Sequence, residues 1–147
     1  MKTRFFPVFG VIFLLSACHS YTLASKSEDA RAKMFYIPQQ RANIYIYRNE
    51  ILGAAIGMKL MIDSVPIAQT GPKTYVKVSV LPGPHTVISI AEDTSVLHIN
   101  AQVGENYFVW QEAKMGLWTI RSRLHLMNEF TGRRGVMQCR LIQSSQP

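Results

Sequence analysis

The sequence predicts an all-β fold: an antiparallel β-sandwich of about seven short strands, with a short C-terminal helix. Three observations predict it. From residue 42 onward the hydrophobic pattern repeats every second residue. Turn-forming residues interrupt that pattern about every 8–12 residues. The length of 147 residues, with 48% hydrophobic and 17% charged positions, fits one ordinary domain, and a mean hydropathy of +0.05 excludes intrinsic disorder.

The strands follow in order. Ala42 to Arg48 alternates Ile44 and Ile46 with Tyr45 and Tyr47, a β-branched and aromatic run suited to a strand buried on at least one side. Asn49 to Gly57 reads as a loop. Met58 to Asp63 is a second strand, with a tight turn at Ser64-Val65-Pro66 and a short return at Ile67 to Gln69. Gly71-Pro72 breaks the chain before Thr74 to Leu81, which alternates again. Pro82-Gly83-Pro84 is a strong turn, because proline presets φ and glycine accepts positive φ, so His85 to Ala91 is expected as the partner strand. Glu92-Asp93 is a charged turn into Ser95 to Val103, and Gly104-Glu105-Asn106 turns into Tyr107 to Glu112. Lys114 to Gly116 is a loop, and Leu117 to Met127 is the last long strand. Phe130, Met137 and Leu141 can share one face of a C-terminal helix, which Gly132 and Gly135 weaken. Residues 143–147 are expected to be a disordered tail.

The amino terminus has a different character. Lys2 and Arg4 precede an uncharged apolar stretch from Phe5 to Leu15. At about 1.5 Å rise per residue this is too short for a ~30 Å hydrocarbon core, so it reads as a secretory signal. It ends in Leu15-Ser16-Ala17-Cys18, which resembles the lipobox of bacterial lipoproteins. The resemblance implies cleavage before Cys18, a diacylglyceryl group on its sulfur and an acyl chain on its amine, and residues 1–17 as signal peptide. A residue other than aspartate after the cysteine (here His19) implies the periplasmic face of the outer membrane. The alternatives are an inner-membrane lipoprotein, or a soluble periplasmic protein cut after Thr22-Leu23-Ala24. Two or more acyl chains anchor stably, since each buried CH₂ contributes about 0.8 kcal/mol.

Residues 18–41 are read as a lipidated tether and docking segment. Residues 19–26 are its flexible part, Ser27 caps a helical turn with Glu28 and Asp29 in it, and Met34, Phe35 and Ile37 dock on the domain. The sandwich proper is placed at 42–142. Cys139 then has no thiol partner unless Cys18 stays unacylated, when a Cys18–Cys139 bridge becomes open.

Asp63-Ser64-Val65-Pro66-Ile67-Ala68, followed by Tyr75 to Leu81 and Pro82-Gly83-Pro84-His85, resembles the small β-modules called PEGA domains, although Ser64 stands where glycine is usual. With the Ile44 to Arg48 strand, the Gly104 to Val109 hairpin and the lipobox, the chain is similar to uncharacterised bacterial lipoproteins of a domain-of-unknown-function family. That resemblance brings no catalytic residues.

Residue patterns for chemistry are weak. There is no Gly-x-Ser-x-Gly and no phosphate loop, since Gly53-Ala54-Ala55-Ile56-Gly57 lacks a following Lys-Ser. Adjacent Glu92 and Asp93 read as a solvated turn rather than a converging pair. His98 and His125 read as solvent-face residues on separate strands, so neither a metal nor another cofactor is expected. The excess of 16 basic over 9 acidic residues is scattered, and export removes nucleic acid as a partner.

What remains is a surface: Trp110 and Trp118 as aromatics, with Arg121 and Arg123 on one strand face. The expectation is a membrane-anchored, non-enzymatic adaptor or binding module that meets another envelope protein. The alternative is a small-molecule or lipid carrier with a cavity between the sheets, lined by Trp110 and Trp118.

Overall fold

The computed structural model describes residues 21–145. The elements run α1 (Lys26–Ala32), β1 (Ala42–Arg48), β2 (Met58–Ile62), β3 (Val65–Thr70), β4 (Thr74–Val80), β5 (Gly83–Ile90), β6 (Thr94–Ala101), β7 (Asn106–Met115), β8 (Ile120–Met127), α2 (Glu129–Met137) and β9 (Arg140–Leu141). They form a five-stranded sheet, β8-β7-β1-β4-β9, and a four-stranded sheet, β3-β2-β5-β6. The sheets pack face to face on Ile44, Ile46, Val76 and Val109 from one side and Leu60, Ile62, Val87 and Ile99 from the other. Each such side chain contributes about 1.5–3 kcal/mol by leaving water. The all-β sandwich with a short C-terminal helix is therefore the observed fold.

Two details of pairing depart from the sequence reading. The sheets are not wholly antiparallel: β1 runs parallel to β7, and β4 runs parallel to β9. The strand after Pro82 is not the partner of the strand before it, because β4 pairs with β1 while β5 pairs with β2 and β6. Proline offers no N–H to a hairpin ladder, and Gly83 at φ 130° swings the chain from one sheet to the other. The turn is a corner between layers. A tight hairpin does join β2 and β3, and its Asp63 and Ser64 both take positive φ (50° and 67°).

The five-stranded sheet has a second layer behind it. Tyr45, Tyr47, Tyr75 and Phe108 point away from the sandwich core and are covered by Phe35, Ala32, Val136 and Cys139. Tyr45 and Phe108 stack at 5.3 Å, and Phe35 meets Phe108 edge-on at 5.7 Å. Consequently every residue of β1 is buried. The helix α2 gets close because a Cβ at Gly132 would stand 2.1 Å from Phe108 and one at Gly135 would stand 2.2 Å from the Tyr47 ring. Its buried face is Gly132, Gly135 and Val136; Phe130 and Met137 are exposed, and Leu141 belongs to β9. The two glycines are the contact surface of the helix.

The segment before the sandwich is packed from Tyr21 onward rather than free to residue 26. Leu23 bridges Ile142, the Ala24 N–H donates to Leu141 O, and the Gln143 N–H donates to Thr22 O. The helix cap is Ser25, not Ser27: its hydroxyl accepts from the Glu28 N–H while Glu28 accepts from the Ser25 N–H. Phe35 docks as expected, but Met34 lies in solvent. The tail is hydrogen-bonded through Ser145, whose N–H donates to Ile67 O, so 143–145 is not a disordered tail.

Candidate functional site

At the end of the sandwich where β1 and β7 finish and β8 begins, three loops are locked together by charged side chains. Arg48 is fully buried and donates to the carbonyls of Ile56, Leu52 and Gly53, closing the 49–57 loop over itself. Burial pulls its guanidinium below the usual value, and the charge of Glu50 opposes that. Glu50 accepts from the Ala113 N–H at 3.0 Å, which ties the loop to β7. Gly53, at φ 65°, lies so close to Ile120 that an added Cβ would meet it at 2.5 Å.

The hairpin 116–119 between β7 and β8 is held by Glu92. Its carboxylate accepts from the N–H groups of Leu117, Trp118 and Thr119 at 2.9, 2.9 and 2.7 Å. Those three bonds stabilise the anion and lower its pKa to about 2. Asp93 accepts from the Ser122 N–H, and Ser95 accepts from the Leu124 N–H, so two donors along the outer edge of β8 are occupied. Glu92-Asp93 is thus a clamp on the hairpin. Sequence reading took it for a solvated turn, because the donors to its carboxylates are backbone N–H groups 25–29 residues away.

The clamped loops present large apolar side chains to solvent. Trp118 is 89% exposed and Leu117 75%, and Met115 at the end of β7 and Ile51 in the 49–57 loop are exposed at the same end of the sandwich. Met137 is also exposed, at the end of α2 that the Asn49–Gln138 hydrogen bond fixes to this loop. Lys114 and Arg121, directly opposed across β7 and β8, flank the hairpin. A triple hydrogen bond beneath an exposed tryptophan makes a rigid apolar tip.

The residues expected on a partner surface divide. Trp118 is at the tip, and Arg121 and Arg123 are exposed on β8. Trp110 is only partly accessible: it packs against the aromatic layer, stacks on His125 at 5.2 Å, and has a buried indole N–H without a hydrogen-bond partner. Neither tryptophan lines the space between the sheets, which removes the feature that would have favoured a carrier. That space holds aliphatic side chains and a polar thread. In it Thr70 donates to Gln111 at 2.5 Å, Gln111 donates to Ser89 at 2.6 Å, and Ser89 and Ser122 share a bond of 2.5 Å. All four are buried and mutually satisfied.

The histidines expected on solvent faces lie on opposite sides of the sandwich. His125 bonds Glu112 at 2.8 Å on the outer face of the five-stranded sheet, while His98 faces Thr86 on the outer face of the other sheet. Among the described residues no three His, Cys, Asp or Glu side chains come together as a metal-holding group. Cys139 is buried, free of any disulfide, and raised to about 12 chiefly by burial. An open groove of about 450 Å³ runs beside α1, lined by Glu28, Arg31, Ala32, Met34, Tyr36 and Lys77. Its carboxylate is already used in the Ser25 capping box. Cys18 lies outside the described residues.

The family model described as "Protein of unknown function (DUF2846)" matches residues 38–122. The match begins just before β1 and ends inside β8, so it covers the clamped hairpin and leaves α2 outside. An "Uncharacterized protein" of Haemophilus influenzae is 30% identical over 139 residues, 93% of this chain and 83% of that relative.

Proposed function

Since the chain belongs to this DUF2846 family, whose description assigns no activity, we propose from its own residues that it is a lipid-anchored envelope protein. It acts without catalysis, as a binding module held at the periplasmic face of a membrane. The observation that carries the reading is Leu15-Ser16-Ala17-Cys18 directly behind the apolar stretch from Phe5 to Leu15. Cleavage there makes Cys18 the new terminus, with its sulfur bearing diacylglycerol and its amine open to a further acyl chain. The outer membrane is the destination, in keeping with His19 after the cysteine. The filled space between the sheets supports a module that works through its surface, and the rigid tip at Trp118 supplies an exposed apolar site for contact.

The test is metabolic labelling with radioactive palmitate, paired with crosslinking from the surface. Wild type incorporates label and Cys18→Ser does not. A crosslinker placed at Arg123 captures a specific envelope neighbour from intact cells. Label retained in Cys18→Ser, or a soluble wild-type protein, removes the anchor from the account.

A further inference from the structure

We propose that the loop end carrying Ile51, Met115, Leu117, Trp118 and Met137 lies in the interface of the same bilayer that holds the N-terminal lipid. This rests on the anchor reading for its choice of occupant, and it adds which part of the domain meets that membrane. Three observations point to a lipid surface.

The first is the leash. Tyr21 is the first described residue, and its ring packs on Gly71 so closely that an added Cβ there would stand 2.3 Å from it. Gly71 opens the turn into Thr74, which pairs with Arg48 at the base of the 49–57 loop. Only two residues lie between Cys18 and Tyr21, so the three steps span no more than about 11 Å when extended. The anchor therefore attaches beside this end of the sandwich and keeps it close to the bilayer.

The second is the chemistry of the tip. Tryptophan combines a large apolar ring with one N–H donor, and it favours the depth where hydrocarbon meets headgroups. Here it is 89% exposed, next to Leu117 on the same hairpin. Lys114 and Arg121 stand one pair back along β7 and β8. Each is about half exposed and ion-paired, to Glu112 at 3.3 Å and Glu92 at 3.4 Å, and each has further N–H donors that can turn to headgroup phosphates while its stem covers apolar surface. The third is rigidity. Glu92 fixes the Leu117, Trp118 and Thr119 backbone, so little ordering remains to be done on contact. The acidic groups near the tip are each partnered within the protein: Glu50 by the Ala113 N–H, Glu92 by the hairpin N–H groups and Arg121, Asp93 by the Ser122 N–H, and Glu112 by His125 and Lys114.

The test uses the mature chain from residue 18 in two forms, acylated and Cys18→Ser, with Trp110→Phe so that Trp118 alone reports. Vesicles of phosphatidylethanolamine and phosphatidylglycerol are the probe. The expected result is a blue shift of Trp118 emission in both forms and quenching by phospholipids brominated near the headgroup. Replacing Leu117 and Trp118 together by serine is expected to weaken vesicle binding of the Cys18→Ser form about tenfold or more. Acylated protein that sits on vesicles with Trp118 unshifted and unquenched overturns the proposal and leaves the anchor standing. Vesicle binding through Trp118 by a native protein that carries no acyl mass keeps the tip and removes the anchor. Trp118 shielded only in the presence of the 1–17 segment assigns the tip to that segment and also overturns the proposal.

Discussion

The two sheets share one core but differ in what lies behind them. The five-stranded sheet is buried on both faces, with an aromatic layer beneath α1, Phe35 and α2. The four-stranded sheet is buried on one face only: β6 alternates between exposed Thr94, Val96, His98 and Asn100 and the more buried residues between them. The difference teaches that burial of a strand depends on distant segments. Tyr45 and Tyr47 leave water because of residues near 32–35 and 132–139, not because of anything in β1 itself.

The comparison is broken most sharply by altering one apolar side chain on each of the two outer faces. Phe108→Ala opens a hole in a layer with no water behind it and is expected to cost about 3–5 kcal/mol in urea-induced unfolding. Val96→Thr, on the uncovered face of β6, is expected to stay within about 0.5 kcal/mol. Similar losses at both positions would mean that the helices do not seal the five-stranded sheet.

The next effect isolates the helix contact. Gly135→Ala raises helix propensity yet drives a methyl against the Tyr47 ring, so a net loss of about 1–3 kcal/mol is expected. An increase in stability would mean that α2 stands further from the sheet. This position also shows what was legible in the sequence. Alternation from residue 42 marked the strands, and the spacing of Phe130, Met137 and Leu141 marked a helix, although those three are not its buried face. The glycines read as helix-weakening are what permit its approach, a long-range reason that one-dimensional periodicity cannot contain. The same limit explains the Pro82-Gly83 corner: the turn was visible in two residues, but the sheet it leads to depends on β2 and β6. At the candidate site, Trp118 and the arginines were recognisable by type, whereas Arg48, Glu50 and Glu92 bond mostly to backbone atoms and carried no pattern of side-chain types.

Smaller again is the effect of pH on the single-layered side. There, Asp63 joins His85 at 2.6 Å while accepting from the Thr86 N–H, and His85 reaches Leu81 O at 2.7 Å. Burial works against charge on both groups. The Asp63 bond and the Leu81 carbonyl nevertheless raise the His85 pKa, and the Thr86 N–H and His85 lower that of Asp63. The His85 contribution is complete below its ordinary value near 6.5 and is lost as pH rises through its raised folded value. The Asp63 contribution is complete above about 3.9 and is lost as pH falls through its lowered folded value. Thermal melts across pH are expected to show a plateau between these limits, with the alkaline decline reduced in His85→Gln. An unchanged alkaline limb would leave the pair without a role in stability.

The last predicted change is a gain. Ser64 takes φ 67° in the β2–β3 turn, a conformation that costs a side-chain-bearing residue roughly 1–2 kcal/mol. Ser64→Gly is expected to recover up to about 1 kcal/mol after glycine's own chain entropy is counted. A loss instead would mean that the serine side chain holds the turn.

The anchor is tested most directly by the intact mass of the protein purified from a native membrane fraction. The account predicts a polypeptide that starts at Cys18 and carries the added mass of a diacylglyceryl group, with or without a further acyl chain on its amine. A chain that starts elsewhere, or one that starts at Cys18 with no lipid mass, contradicts it.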